Sequence, residues 1–463
     1  MRPRTRWIIV VATTAALVLL GLPAKAGHGA DPHTENVHPK GHIAYPASLI
    51  DPAAPTTDIS TDIAFWGREA FLGNWDGFRV IDISDPDNPT EVSRTFCDGN
   101  QGDVAVWDNI LVRAWNTPAG TPGPFGAGTT CDDNTPPLPN TLGPFEGVNV
   151  FDISDRSNPD LVANVETLCG SHTLTIVPDL NNDRVLVYSN SSSAAAGCTG
   201  IDIIEVPIDD PSAARYLRLE SSGGPGDVPA PRSCHDSGVI LGDEMKLSCA
   251  GGNGFTTWTL DPAAGGSLAD PKFLYSVAEP GVTIGHSAGF SWDGDTLIFG
   301  HEPGGGVQAE CEATDDATKK SYFFYDSDTG AKLGTFLLPR NQSSSENCTL
   351  HNFNVVPLRD GDDVLVHASY QAGFGVVDFN NLANTVEVGW SDPPPIPTPP
   401  GSPFCAPVGC EIGGDWSTYW YNNFIYESSI TEGFNVFRFS GPQTAGAMRL
   451  GHLNPNTQEF TIG

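Results

Sequence analysis

Residues 77–89 have the sequence GFRVIDISDPDNP, and this stretch decides the fold of the chain. A glycine opens it, a run of aromatic and β-branched residues typical of a strand follows, and proline, aspartate and asparagine end it in the composition of a tight turn. A near copy, GVNVFDISDRSNP, occupies residues 147–159. Two copies of one glycine–strand–turn unit indicate an internal repeat.

Five weaker copies of the strand extend the repeat toward the C-terminus, at residues 201–206, 255–260, 322–325, 374–379 and 434–439. Each unit contains about four short runs with strand composition. Four-stranded sheets repeated around an axis close into a ring with few exposed strand edges. The sequence therefore predicts an all-β fold, a seven-bladed β-propeller with four-stranded blades, over residues 58–463. An array of β-sandwiches is the structural alternative, but it does not explain why histidine recurs at one position of the unit.

A histidine opens the first strand in four consecutive units. A turn and a second apolar run follow each of the four, which are His172, His235, His286 and His351. In the other three units we expect aspartate at this position, as Asp62, Asp103 and Asp415. Because the first strand of each blade begins beside the propeller axis, we expect these side chains to form a ring at one face.

Converging imidazoles are good ligands for copper, iron or zinc. A single buried histidine is more often a hydrogen-bonded core residue, but four of the 11 histidines occupy one repeat position. We therefore predict that these four bind one transition-metal ion, either copper, iron or zinc. We expect the three aspartates to assist in binding this cofactor, by orienting ligands, holding water or bonding across the channel.

The second strand of each unit returns to the same face as the ring. His301 and Glu302 in the fifth unit and His367 in the sixth stand at that end, and we predict them as catalytic residues that transfer protons or support the metal ligands. Long segments at residues 116–146 and 303–320 leave from this face. Loops of such length in compact repeats are often functional, so we expect both to cover the channel mouth.

The first 57 residues precede the repeats. Residues 1–26 combine a basic start, an apolar run and an Ala-Lys-Ala site, which predicts a signal peptide. We predict a histidine-containing N-terminal leader over residues 27–57, either disordered or acting as a weak metal-collecting tail. No later stretch is apolar enough to cross a bilayer, so we expect no transmembrane segment in the mature chain and a secreted or cell-surface location.

Ten cysteines fit an oxidising compartment. CxxC spacing is absent from the sequence, which argues against a thiolate metal cluster. We predict five disulfides between cysteines that are neighbours in sequence, namely Cys97/Cys131, Cys169/Cys198, Cys234/Cys249, Cys311/Cys348 and Cys405/Cys410. Each pair would close one loop or hairpin.

The stretches at residues 77–89 and 147–159 resemble the repeat of the LVIVD-repeat proteins. This resemblance implies a secreted or surface β-propeller and assigns no activity. The predicted histidine ring is similar in layout to the axial metal sites of two other seven-bladed propeller groups. These are the carotenoid-cleaving oxygenases, which use four histidines, and the selenium-binding-protein/methanethiol oxidase group. Their sequence motifs are not found here.

Two classes of function remain. The formal net charge of −33 repels nucleic acid, so we expect no nucleic-acid partner. The first class is a secreted metal-dependent oxidase or oxygenase that acts on a small organic substrate at the channel mouth. The second is a non-catalytic binding or surface scaffold with a structural metal or none. The histidine ring favours the enzyme, because a scaffold does not require four imidazoles at one repeat position.

Overall fold

The computed structural model of the protein describes residues 31–44, 59–97, 101–116, 146–191, 198–223, 233–395, 413–430 and 432–462. Within these ranges the strands form seven sheets, each with four antiparallel blade strands, and two of the sheets gain a short fifth strand near the C-terminus. The prediction of a seven-bladed β-propeller with four-stranded blades is confirmed. The predicted signal peptide lies outside the described residues.

The strands follow one order, from the axis to the outer edge of each blade. The chain begins with β1 (Val37–Ala44), and blade 1 then consists of β2 (Ser60–Trp66), β3 (Glu69–Asn74), β4 (Gly77–Asp82) and β5 (Thr90–Phe96). Blade 2 consists of β6 (Gln101–Trp107), β7 (Ile110–Trp115), β8 (Gly147–Asp152) and β9 (Asp160–Glu166). Blade 3 consists of β10 (Thr173–Asp179), β11 (Arg184–Asn190), β12 (Gly200–Pro207) and β13 (Arg215–Ser221). Blade 4 consists of β14 (Ser237–Ile240), β15 (Lys246–Gly251), β16 (Gly254–Thr259) and β17 (Lys272–Ala278).

The remaining blades repeat this order. Blade 5 consists of β18 (Gly285–Phe290), β19 (Thr296–His301), β20 (Ser321–Asp326) and β21 (Lys332–Leu337). Blade 6 consists of β22 (Phe353–Val355), β23 (Val364–Ala368), β24 (Phe374–Asp378) and β25 (Val386–Ser391). Blade 7 consists of β26 (Asp415–Tyr421), β27 (Phe424–Ser429), β28 (Gly433–Phe439) and β1, and the chain ends with β29 (His452–Leu453) and β30 (Thr457–Gln458).

Helical structure in the described ranges is limited to short 3-10 segments, at Leu180–Asn182, Pro211–Ala213, Pro262–Ala264, Pro303–Gly306, Ala317–Lys320 and Pro442–Thr444. None of the helices in this part of the chain is long and apolar enough to cross a membrane.

The core lies between neighbouring blades. In one apolar cluster Ala64 and Phe71 of blade 1 pack against Val104 and Leu111 of blade 2. The glycine that opens the repeated strand is required by close approach: Gly77 has φ +144°, and a Cβ at this position would lie 1.8 Å from the Thr95 carbonyl oxygen. The repeat therefore preserves backbone packing between its third and fourth strands as well as apolar burial.

An N-terminal strand closes the ring. β1 pairs antiparallel with β28 and supplies the outer strand of blade 7. The predicted start of the propeller at residue 58 is therefore wrong, because the leader contributes a strand. Its sequence VHPKGHIA buries few apolar side chains and so lacks the composition of the repeated strands. Sheet hydrogen bonding to an exposed edge places it there.

The leader histidines bond to this blade. His38 Nε2 lies 2.8 Å from Ser440 Oγ, and His42 Nδ1 lies 2.6 Å from Asn435 Oδ1. The leader was predicted to be either disordered or a weak metal-collecting tail. Neither prediction fits His38 and His42, because both are bonded to blade 7. His28 lies outside the described ranges.

The C-terminal segment closes the end of the propeller opposite the histidine-bearing strand starts. The Asn454 side chain accepts a hydrogen bond from the Val106 amide and donates one to the Val106 carbonyl oxygen. Farther on, Gln458 Nε2 donates to the Phe290 carbonyl oxygen at 2.9 Å, and β30 adds in parallel to β14. These contacts lie at the far ends of the inner strands, so the channel is covered from below.

Three of the predicted disulfides are confirmed, Cys169–Cys198, Cys234–Cys249 and Cys311–Cys348. Cys131, the predicted partner of Cys97, lies outside the described residues, as do Cys405 and Cys410.

Ring closure by β1 generates a stability prediction. Val37 is fully buried in the cluster between blades 6 and 7, whereas its neighbour His38 is exposed. We expect Val37→Asp to lower the free energy of unfolding by about 3 kcal/mol, because it places a carboxylate in an apolar core. His38→Asp introduces the same side chain on the outer face and should change stability little. Thermal unfolding of both variants checks this, and equal melting temperatures would contradict a closing role for β1.

Candidate metal centre

A β-bulge opens the inner strand in several blades. In blade 5 Gly285 pairs with His301 and Ala288 with Phe299, so His286 and Ser287 together oppose a single residue. The same irregularity places Thr61 and Asp62 in the bulge of blade 1. Such bulges redirect side chains and are frequent beside functional sites.

The bulges correct the predicted aspartate positions. Asp62 aligns with Ser287, one residue past the histidine position, and Asp103 does the same in blade 2. In blade 7 the pairs Asp415↔Ser429 and Ser417↔Ser428 leave Trp416 at the histidine position, with Asp415 one residue before it. The prediction that aspartate occupies the histidine position in these blades is therefore wrong by one residue. A bulge moves the side chains at the strand start by one residue but leaves the spacing between repeats unchanged, so spacing in the sequence could not reveal the shift.

The four ring histidines lie side by side on blades 3 to 6. Ring centroids are 4.3 Å apart for His172 and His235, 4.2 Å for His235 and His286, and 4.2 Å for His286 and His351. Consecutive blades therefore present their imidazoles in one continuous row.

Glu302 lies among these imidazoles. Its Oε2 is 3.9 Å from His235 Nε2 and 3.7 Å from His286 Nε2, and its Oε1 is 3.4 Å from His351 Nε2. Glu302 follows β19, whose end returns to the ring as predicted. Its carboxylate stands where a ligand would stand, which differs from the supporting role that the sequence suggested.

Hydrogen bonds at the Nδ1 atoms orient two of the rings. His351 Nδ1 lies 2.5 Å from the Trp416 carbonyl oxygen, and His235 Nδ1 lies 3.1 Å from Asp236 Oδ1. An N–H at Nδ1 leaves the Nε2 lone pair directed at Glu302, the arrangement by which proteins orient metal-binding histidines. His286 Nδ1 is buried and has no hydrogen-bond partner within the described part of the chain.

Two overlapping groups of side chains satisfy the spacing that a metal ion requires. The first is His286, Glu302 and His351, and the second is His235, Asp236 and His286; in each group the ligand atoms lie within 4.8 Å of one another. His172 belongs to neither group and contacts the ring of His235. Asp236 was missed as a site residue, although it follows His235 directly in the sequence.

Burial controls the protonation of these groups. It lowers the pKa of His235 and of His351 to about 3, and it lowers the pKa of His286 well below its usual value, with further lowering by the neighbouring histidines. Burial raises the pKa of Glu302 to about 8 and that of Asp236 to about 7. Neutral imidazoles are the form that binds metals, and a cation would stabilise the charged form of the buried carboxyl groups. The donor set therefore fits a metal ion.

The three aspartates that lie one residue away from the histidine position have different hydrogen-bond partners. Asp62 accepts hydrogen bonds from Ser417 Oγ at 2.5 Å, Tyr419 Oη at 2.8 Å and Asn352 Nδ2 at 2.7 Å. Burial nevertheless raises the pKa of Asp62 to about 6. These bonds join the inner strands of blades 1, 6 and 7 beneath the histidine row.

The other two aspartates do not line the cavity above the histidines. Asp103 accepts a bond from the Leu174 amide at 2.7 Å, and its pKa lies well above the usual value because of burial and the nearby Asp62 carboxyl. Asp415 is fully buried and bonds through its backbone to Tyr370 in both directions. Both residues therefore connect strands.

Tyr370 is a site residue that the sequence analysis missed. Its hydroxyl donates to Glu302 Oε1 at 2.5 Å, and its ring centroid is 4.5 Å from that of His351. Its backbone has φ +52°, a left-handed conformation that is unfavourable for a tyrosine. The paired bonds with Asp415 hold this turn in place. Residues in such conformations cluster at functional sites.

The two other predicted catalytic histidines lie away from the cavity. His301 Nδ1 lies 2.9 Å from the Thr318 carbonyl oxygen, and its Nε2 accepts from the Thr283 amide at 3.2 Å. His367 Nδ1 lies 3.0 Å from Ser369 Oγ, and its ring packs near Tyr322. His301 points away from the cavity that its neighbour Glu302 lines, because successive residues of an extended chain point to opposite faces. His367 packs between blades 5 and 6.

A cavity of about 570 Å3 lies over the histidine row, which is a volume typical of small-molecule sites. Gly305, Gly306 and Val307 line it, and they belong to the second predicted covering segment, which the Cys311–Cys348 disulfide joins to the loop before His351. Residues 117–145 of the first covering segment lie outside the described ranges.

Segments of the first two blades match a known protein repeat. The LVIVD repeat matches residues 59–95 and 146–167. No curated protein matches the sequence. Among solved structures, the chain is similar to the WD40 β-propeller domain of Doa1, with 12% sequence identity, a TM-score of 0.49, and coverage of 89% of this chain and 100% of that chain. The protein is a seven-bladed β-propeller that carries LVIVD repeats.

Proposed function

We propose that this propeller binds one transition-metal ion and acts as a metal-dependent oxidase or oxygenase on a small organic molecule. His235, His286, His351 and Glu302 supply the ligands, and His172 stands beside them as the fourth imidazole. One observation carries the proposal: three Nε2 atoms surround the carboxylate of Glu302 at 3.4, 3.7 and 3.9 Å, at the floor of a cavity.

The donor set selects the ion. Imidazole nitrogens with one carboxylate suit iron, copper or zinc, and histidine–carboxylate sets with open positions are typical of non-haem iron oxygenases. Copper or iron supplies redox chemistry with dioxygen, which zinc does not. An oxidase of this kind transfers two electrons and two protons from its substrate to dioxygen, giving hydrogen peroxide.

The protein residues prepare the site for this role. Asp236 and the Trp416 carbonyl fix two imidazoles, while Tyr370 fixes the carboxylate of Glu302. The cavity above would hold a substrate beside the ligands. An open cavity beside the donors favours catalysis over a structural metal, because structural sites are enclosed by protein ligands.

We also propose that the protein is exported. The three disulfides of the described residues are compatible with an oxidising compartment. Together with the basic and apolar N-terminal residues, they support a secreted or cell-surface location.

Metal content tests the site. We expect the purified protein to contain about one transition-metal ion per chain, and His286→Ala to lose most of it, because His286 belongs to both ligand groups. His452→Ala is the matched control, since His452 stacks on Trp66 and bonds to Glu459 away from the cavity. Elemental analysis with a thermal unfolding curve checks both variants. Full metal content in folded His286→Ala would refute the assignment.

Reactivity with dioxygen separates the enzyme from the scaffold. With ascorbate as the reductant, we expect the metal-loaded protein to consume dioxygen, and metal-loaded His452→Ala to match it. A metal-depleted His286→Ala preparation should consume little, because the reactive ion is missing. An oxygen electrode makes this measurement. Full metal occupancy without ascorbate-dependent dioxygen uptake would favour the scaffold.

Tyr370 provides a finer test of Glu302 as a ligand. We expect Tyr370→Phe to weaken metal binding about tenfold, because bonds to ligand side chains from their neighbours contribute on this scale. It should also shift the electron paramagnetic resonance spectrum of the Cu2+-loaded protein. Tyr322→Phe is the control, since Tyr322 is equally buried but its hydroxyl donates to the His351 carbonyl oxygen at 3.1 Å. Identical spectra and affinities in the two variants would argue against ligation by Glu302.

A further inference from the structure

The seven inner strands divide the cavity into two halves. Blades 3 to 6 place histidines in one half. Blades 7, 1 and 2 place other side chains in the opposite half, and these are Trp416, Ile59, Asp62, Trp75 and Gln101. All of them line the same cavity as the ligand row. A molecule in the cavity therefore contacts both halves.

The second half presents carbon surface. Ile59, Trp75 and Tyr370 belong to one buried cluster, and Trp416 packs against it. The indole N–H of Trp416 donates to Asp62 Oδ2 at 3.2 Å, and the Tyr370 hydroxyl donates to Glu302. Because these polar groups already have partners, the two rings offer a ligand apolar contact and no hydrogen bond.

Gln101 differs from Asp62, the other polar side chain of this half, whose carboxylate already accepts hydrogen bonds from Trp416 and Ser417. The Gln101 side chain is 9% exposed and lines the cavity, and its amide makes no hydrogen bond to any residue that the structure describes. Its backbone is left-handed, with φ +75°, which is unfavourable for glutamine. Because this amide lines the cavity, a ligand that offers a donor or an acceptor can bond to it in place of water.

Charge limits the class of ligand further. Among the described residues that line the cavity none is lysine or arginine, whereas Asp62, Asp236 and Glu302 are carboxylic acids. An anionic group in this half would be buried near Asp62 and without a lysine or arginine partner, which is strongly unfavourable.

We infer that Ile59, Trp75, Gln101, Tyr370 and Trp416 form a substrate-binding subsite for an uncharged molecule with a flat apolar body. The body lies against the aromatic wall, and an amide or hydroxyl group bonds to the Gln101 side chain. The inference rests on the proposed function, because it names the ligand class of the same cavity.

Benzamide and benzoate test this class, because they have nearly the same shape and differ in charge. We expect calorimetry on the metal-containing protein to show saturable binding of benzamide, and binding of benzoate at this subsite to be at least tenfold weaker. Gln101→Leu, which keeps the side-chain size, should weaken the binding of benzamide about tenfold, because the hydrogen bonds to the amide are lost. Trp75→Ala should weaken it by a similar factor. Trp66→Ala is the control, because Trp66 stacks on His452 at the other end of β2. This variant should bind benzamide with unchanged affinity.

The outcomes separate the two proposals. Binding of benzoate that Gln101→Leu and Trp75→Ala weaken as much as they weaken binding of benzamide would overturn the subsite, because benzoate held by the metal ion alone would not respond to them. Unchanged binding of benzamide in folded Gln101→Leu would also overturn it. Absence of benzamide binding to a protein with one metal ion per chain would also overturn it, while the metal site would stand. Benzamide binding that follows the expected variant pattern in a protein without metal would support the subsite and refute the metal site.

Discussion

Crowding of the inner strands around one axis is the constraint on which the site depends. Ring centroids only 4.2 Å apart mean that each side chain at a strand start contacts the next blade. Backbone groups are shared in the same way: the Asp236 amide donates to the His286 carbonyl oxygen at 3.0 Å, and Ser287 Oγ donates to the His351 carbonyl oxygen at 3.1 Å. A polar group at this radius must find its partner on a neighbouring blade or in the channel, because water reaches it only through the cavity.

This constraint gives the electrostatics of the site. Burial keeps the imidazoles neutral and raises the pKa of Glu302 to about 8. None of the described residues that line the cavity is lysine or arginine, so the donors have no positively charged side chain beside them. Neutral nitrogens that surround a carboxyl group form an environment that a cation stabilises and that a packed apolar core would avoid. His286 Nδ1, which makes no hydrogen bond to the described residues and lies 3.7 Å from Asp236 Oδ2, has the same origin, since its imidazole is held between two others.

The sequence was sufficient to predict the blade count, the histidine row and three local disulfides, because each depends on spacing within the repeat. It was not sufficient for features set by backbone irregularity. The bulge that places Trp416 rather than Asp415 at the histidine position changes register by a single residue. Tyr370 reaches Glu302 from a left-handed turn that no propensity favours. β1 carries so few buried apolar residues that only pairing with β28 identifies it as a strand.

The ring combines a symmetric backbone with an asymmetric set of side chains, and this asymmetry supports a function beyond stability. A metal that served only to join the blades would be best enclosed by ligands on all sides. Here four blades present nitrogen donors, whereas the other three present Ile59, Trp75, Trp416, the Asp62 carboxyl group and the amide of Gln101. Gln101 and Tyr370 both have left-handed backbones, and both line the cavity. The surrounding structure maintains two unfavourable backbone conformations at one cavity, so the shape of the cavity is kept at a cost in folding stability.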